Sequence, residues 1–315
     1  MLKLEHPLFL ISPPFKRRFS VKRSIFTGSG VAIITPFKHE TVDLNTLARL
    51  LDFHLDNGTR AIIVCGTTGE ATTMTYRERM RTIEFCSEYI SGRIPVIAGS
   101  GSNSTEIAIA LSKDAERAGA DGLLVVTPYY NKTNQQGLIR HYQVIADAVN
   151  SPVILYNVPS RTGVNISPES YAELAKHPNI IGTKEASGNL SNIQKTRNLC
   201  QKDFYIWSGN DDETVPICAL GGIGAISVAA NIIPNQIDQL TQLCLANNFV
   251  AAGELQLQLK SFFDMLFCDV NPIPVKTALN LAGWNVGPLR LPLYETNNVN
   301  LAYIQSVLSA YGLLM

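Results

Sequence analysis

The chain has no long apolar run, no paired-cysteine spacing and no metal-ligand signature, and each absence removes a class of function. No hydrophobic stretch approaches the roughly 18 residues that a membrane-spanning helix needs, so no membrane association is expected. Six cysteines, Cys65, Cys86, Cys200, Cys218, Cys244 and Cys268, are scattered without a C-x-x-C pair. This usage offers neither a zinc site nor a disulfide framework, and it suits core thiols in a reducing cytoplasm. Five histidines, at 6, 39, 54, 141 and 177, form no H-E-x-x-H, and no metal is expected. Glycine clusters at 99–101 and 221–224 do not spell G-x-G-x-x-G at the start of a helix, so no dinucleotide cofactor is expected either. The formal net charge is zero. Six basic residues nevertheless fall within positions 1–24 against Glu5 alone, which leaves the body net acidic and argues against a nucleic-acid partner.

Within that basic segment, Pro13-Pro14 interrupts a short apolar run and a basic cluster follows, the wrong order for a secretory signal. Residues 1–24 are therefore expected to form a flexible tail. Beyond Ser29, short apolar runs alternate eight times with segments of helical periodicity. The strand candidates are Gly30–Thr35, Ala61–Cys65, Pro95–Gly99, Gly122–Thr127, Val153–Tyr156, Ile180–Lys184, Phe204–Ser208 and Gly224–Val228. Strands that are continuously apolar imply a parallel sheet covered by helices. Eight such units predict a (β/α)₈ barrel over residues 25–250, and helical segments around 252–267, 275–282 and 301–311 predict a C-terminal helical region over 251–315. Helix starts are marked at Thr75 with Glu78, at Asn103 with Glu106, and at Ser167-Pro168.

A barrel gathers its functional groups at the C-terminal ends of its strands. There the sequence places Gly66-Thr67-Thr68-Gly69-Glu70 after strand two, Tyr129-Tyr130 after strand four, Tyr156-Asn-Val-Pro-Ser-Arg161 after strand five and Lys184 at the end of strand six. A strand-end lysine is equally served by snorkelling its amine to water. Desolvated, however, its amine loses its proton more readily and attacks carbonyls to form a Schiff base. Phenols to carry protons, hydroxyls and a guanidinium suited to carboxylates complete the set. No serine or cysteine is paired with a histidine, which disfavours a hydrolase.

Three of these motifs together, Gly66-Thr-Thr-Gly-Glu70, Tyr156-Asn-Val-Pro-Ser-Arg-Thr-Gly163 and Gly182-Thr-Lys-Glu-Ala-Ser-Gly188, resemble the dihydrodipicolinate synthase family of Schiff-base lyases. Asn271-Pro-Ile-Pro-Val-Lys276 and Leu289-Arg-Leu-Pro292 extend the resemblance to nearly all of the chain beyond the tail. It implies a barrel with a helical C-terminal region, assembled as a homotetramer. It also implies an aldol-type synthase that condenses pyruvate with aspartate β-semialdehyde in lysine and diaminopimelate biosynthesis, without a cofactor. On that resemblance Lys184 forms the imine, Tyr156 is the acid/base, and Thr67 and Tyr130 complete a proton relay, Tyr130 reaching into a neighbouring subunit. Thr68 binds the pyruvate carboxylate, Arg161 holds the semialdehyde carboxylate and Ile226 supplies a backbone carbonyl. Sister activities such as N-acetylneuraminate lyase share the lysine and the tyrosine; Thr68 and Arg161 favour the synthase. Many family members bind lysine as a feedback inhibitor. Here Asn103 and Tyr129 match that site, but Tyr76 and Arg79 occupy its histidine positions and Ile107 replaces its glutamate, so the resemblance implies weak or absent inhibition.

Overall fold

A computed structural model describes residues 22–315. Eight parallel strands close a barrel: β1 (Gly28–Ala32), β2 (Ala61–Val64), β3 (Val96–Gly99), β4 (Gly122–Val126), β5 (Val153–Asn157), β6 (Ile180–Glu185), β7 (Tyr205–Ser208) and β8 (Gly224–Ser227). Closure is made by β1, which pairs with β8 on one side and β2 on the other. The eight expected strands are all present, each within two residues of its expected start. A further two-residue hairpin, Phe37–Lys38 with Thr41–Val42, was too short to leave a periodic signal.

Helices α1 (Leu44–Asp56), α2 (Tyr76–Ile90), α3 (Thr105–Arg117), α4 (Gln135–Asp147), α5 (Pro168–Leu174), α6 (Leu190–Leu199), α7 (Thr214–Ala219) and α8 (Pro234–Leu245) follow the strands in turn. Thr75 and Glu78 form a complete capping box at α2, and Ser167 caps α5 ahead of Pro168. At α3 the expected cap moves by one position: Ser104, not Asn103, accepts the helix N–H, from Ile107. Both residues are good caps, and sequence spacing alone does not separate neighbours of equal propensity.

Because side chains alternate along a strand, the sheet has two apolar faces. The outer face, with residues such as Ile62, Val64, Val125 and Leu155, packs against the helices in the larger core. The inner face is a smaller cluster that includes Phe26, Ile63, Ile154, Trp207 and Ile226. Phe26 and Trp207 stack at 5.2 Å between ring centroids. A β-carbon on Gly182 would lie 2.1 Å from the carbonyl oxygen of Tyr205 and 2.9 Å from the Trp207 ring, so only glycine fits beside the tryptophan that fills the barrel.

Residues 1–21 lie outside the described residues, whereas Lys22 is fixed beneath the barrel. Its Nζ donates to the carbonyls of Ala175 and Ile180, the latter at 2.8 Å, and its own carbonyl accepts from the Tyr205 hydroxyl at 2.8 Å. Beyond α8 the chain is helical, with α9 (Phe249–Gln258), α10 (Lys260–Leu266), α11 (Ile273–Leu281) and α12 (Asn298–Ala310). The single segment expected near 252–267 is thus two helices, meeting at Leu259.

Gly182→Ala should lower stability by about 2 kcal/mol, the usual cost of overfilling a packed core, through forced movement of β7. Urea unfolding measures this; a midpoint equal to that of the unmodified protein would show that the β6–β7 packing yields more easily than its geometry implies.

Candidate active site

Lys184 lies on β6 in register with Tyr156 on β5 and Trp207 on β7. Its side chain is 5% exposed, and Nζ sits 4.4 Å from the centroid of the Tyr156 ring. The lysine therefore does not snorkel to water. Gly209, just past β7, makes room for it, since a β-carbon there would stand 3.1 Å from Lys184 Cε. The neighbouring Glu185 points the other way, into a buried network with Tyr171 Oη (2.8 Å), Asn157 Nδ2 (3.0 Å) and Ser187 N (3.0 Å). Burial raises its carboxyl above the ordinary range, and those hydrogen bonds partly oppose the shift. A second buried acid, Asp211, follows β7 and accepts N–H bonds from Val228 (3.1 Å) and Ala229 (3.0 Å) beyond β8. Burial raises Asp211 too, and hydrogen bonds from Ser227, Ala229 and Val228 oppose the shift.

The glycine–threonine turn after β2 is held by its own last residue. Glu70 adopts a left-handed conformation (φ 53°), and its N–H donates to the Thr67 carbonyl at 3.1 Å. Its carboxylate accepts from Lys276 Nζ (2.7 Å) and from the Arg290 N–H (3.0 Å), so α11 and the segment after it are tied to the turn. Lys276 is 1% exposed and also donates to the carbonyls of Thr35 (3.2 Å) and Pro288 (2.7 Å). Burial lowers the pKa of its ammonium, and Glu70 opposes that shift. Before the turn, Cys65 follows β2 with φ 54° and packs its carbonyl where a β-carbon on Gly99 would be 2.2 Å away. Burial pushes the Cys65 thiol up to about 12, so it is no nucleophile.

A cavity of about 640 Å³ opens above these elements, bordered by Thr67, Tyr129, Tyr156, Arg161 and Asn271, with Arg79 and Asn103. Of the residues proposed from sequence, Thr67, Tyr156 and Arg161 line it. Arg161 belongs to a one-turn helix, Pro159–Thr162, and donates from Nη2 to the Asn271 carbonyl at 3.1 Å. Thr68 is buried behind Thr67, where its Oγ1 accepts from Asn271 Nδ2 at 3.0 Å. Ile226 is fully buried on β8. Tyr130 stands apart from the cavity within one chain: it is 90% exposed, in a left-handed conformation (φ 70°). Ile107 lines the cavity's outer part, 53% exposed, while Arg79 donates to the Gly99 carbonyl (2.9 Å) and the Tyr76 hydroxyl bonds to Asp114.

The profile of the dihydrodipicolinate synthetase family matches residues 25–311. The chain belongs to that family. It is 54% identical over 291 residues to the 4-hydroxy-tetrahydrodipicolinate synthase of Thermoanaerobacter sp. (strain X514), covering 92% of this chain and 98% of that one. Among solved structures it superposes on a monomeric dihydrodipicolinate synthase variant with TM-score 0.90 and 43% identity, covering 92% of this chain and 98% of the other. The lysine-bound enzyme of Cyanidioschyzon merolae superposes equally well, TM-score 0.90 at 40% identity, over 93% of this chain and all of that one.

Within this dihydrodipicolinate synthetase fold, three buried groups were given no role by the sequence reading: Asn271 and the Glu70–Lys276 pair, which it named only as parts of motifs, and Asp211, which it did not name. Lys276 did leave a trace, as the lone charge in the apolar run Ile273-Pro-Val-Lys-Thr-Ala-Leu279. Its partner Glu70, more than 200 positions away, reads only as the end of the glycine–threonine turn, and nothing in the sequence joins the two. Removing one member strands a buried charge, so Glu70→Gln should cost about 3–5 kcal/mol, and adding Lys276→Met should recover most of it. Denaturant midpoints of the single and double variants check this, and equal losses in both would mean the pair is not the anchor.

Proposed function

We propose that this chain is an aldol-type lyase with 4-hydroxy-tetrahydrodipicolinate synthase activity, joining pyruvate to aspartate β-semialdehyde through a Schiff base on Lys184. The observation that carries the reading is the buried Lys184 amine over the Tyr156 ring, beside a cavity that Thr67, Tyr156 and Arg161 line. We assign the chemistry to the barrel, residues 25–250, with residues 251–315 in a supporting role.

The amine of Lys184 adds to the keto carbon of pyruvate, and loss of water gives a protonated imine. Its positive nitrogen acts as an electron sink, so a proton leaves the methyl carbon and an enamine forms. That carbon attacks the aldehyde of the second substrate, whose oxygen takes up a proton. The substrate's own amine then adds to the imine carbon, closing the ring and releasing Lys184. The atoms of both substrates are retained except for one water. Tyr156 is the acid/base nearest the amine, with Thr67 and a second phenol relaying its protons, because hydrogen-bonded hydroxyls move protons without any one phenol ionising fully. Thr68 receives the pyruvate carboxylate, Arg161 the second carboxylate by bidentate pairing, and Ile226 contributes a carbonyl. The exposure of Tyr130 supports its use by a neighbouring copy, which makes a dimer the smallest complete catalyst and a homotetramer a natural assembly. Six free thiols, five of them buried, suit a reducing cytoplasm.

The test is turnover of pyruvate plus aspartate β-semialdehyde, coupled to the next reductase, with N-acetylneuraminate cleavage run alongside. Lys184→Ala should abolish turnover and borohydride trapping of pyruvate. Trapping on Lys184 without turnover of the semialdehyde would redirect the search to another aldehyde, and full activity of Lys184→Ala would remove the lysine from the mechanism.

Lysine should inhibit weakly. An amino-acid ammonium entering beside Ile107 meets an apolar side chain in place of an acidic partner, and an unpaired charge is costly to desolvate. A sub-millimolar inhibition constant in the same assay would contradict this.

A further inference from the structure

Asn271 touches both groups assigned to substrate carboxylates, and it comes from outside the barrel. It lies between α10 and α11, is 6% exposed and borders the cavity. Its side-chain Nδ2 donates to Thr68 Oγ1 at 3.0 Å, and its backbone carbonyl accepts from Arg161 Nη2 at 3.1 Å. Its Oδ1 is buried and has no hydrogen-bond partner among the described residues. We infer that Asn271 is a positioning residue that sets the polarity of the pyruvate carboxylate site through Thr68 and, separately, the orientation of Arg161.

The argument is one of donors and acceptors. A threonine hydroxyl has one proton and two lone pairs, and a carboxylate only accepts. With Asn271 filling a lone pair of Thr68, the hydroxyl proton is left to point at an acceptor. A freely turning hydroxyl spends part of its time in orientations that offer a carboxylate only lone pairs. The amide therefore turns Thr68 into a fixed donor before substrate arrives, and such preorganisation favours binding. The second contact works differently. The Asn271 carbonyl occupies one N–H of the Arg161 fork and leaves the other donors of the planar guanidinium for a carboxylate. It belongs to the backbone, so substituting the side chain leaves it in place. One residue thus governs two carboxylate sites through two chemically separable contacts. Residue 271 is itself tethered, because α11 begins two positions later and is pinned by Lys276 to Glu70, at the end of the turn that carries Thr68.

The inference rests on the assignment of Thr68 to pyruvate and Arg161 to the semialdehyde. Asn271→Ala should raise KM for pyruvate by about fivefold, the loss expected for one neutral hydrogen bond, and leave KM for the semialdehyde unchanged. Made in a Thr68→Val background, the same substitution should have no further effect on KM for pyruvate. A pyruvate KM unaltered by Asn271→Ala, or raised equally in both backgrounds, would overturn the proposal. So would an equal rise for both substrates. Asn271→Ser serves if the alanine variant does not fold, with an effect expected in the same direction. Borohydride trapping of pyruvate by the unmodified protein separates the two levels: its absence sinks the Schiff-base reading itself, whereas trapping with an unchanged KM split sinks only the role of Asn271.

Discussion

Closure of the barrel is the constraint on which the rest of the molecule depends. Because β1 pairs with both β2 and β8, the ends of all eight strands meet in one ring, and residues far apart in sequence become neighbours. The register between β5 and β6 then sets Tyr156 beside Lys184, and that between β6 and β7 sets Trp207 on the other side. At the rim, Asn231 ties the ring shut: its amide donates to the Ala32 carbonyl (2.9 Å) and accepts from the Ile34 N–H (3.0 Å), bridging the segment after β8 to the end of β1. A lysine amine held this way is kept from water by the packing of a whole sheet, not by a local pocket.

A second constraint comes from the helices beyond the barrel. Glu70 and Lys276 lie wholly out of water, and each satisfies further backbone groups besides its partner. A buried pair is poor value as a source of stability but strongly specifies geometry, since any other register strands two charges. Here the geometry specified is that of the threonine turn. Arg290 adds to it, pairing with Glu78 and covering the Phe37 ring at 4.0 Å. The C-terminal region is therefore a second wall of the site.

Most of the fold was legible because both of its signals are local. Apolar runs such as Ala61–Val64 and Val153–Asn157 need no distant information to be recognised, nor does the cap at Thr75. The placement of Lys184 and Tyr156 at strand ends, and of Thr67 in the turn after β2, was legible for the same reason once a barrel was inferred, whereas their roles were read from resemblance. What stayed hidden were pairings across long separations. Asn271 reads as an ordinary loop amide until Thr68 and Arg161 are seen on either side of it. Glu70 reads as the end of a turn until Lys276 arrives. Tyr130, named from the same resemblance, is left facing solvent by a single chain.

The anchoring of Lys22 fixes the polarity with which the protein is tethered. It is bonded at the starts of β6 and β7, on the closed floor of the barrel, whereas the cavity opens at the strands' other ends. A surface linkage, fluorophore or fusion partner joined just ahead of Lys22 therefore departs from the side away from the substrates, and immobilisation through that end presents the mouth of the cavity outward to solution.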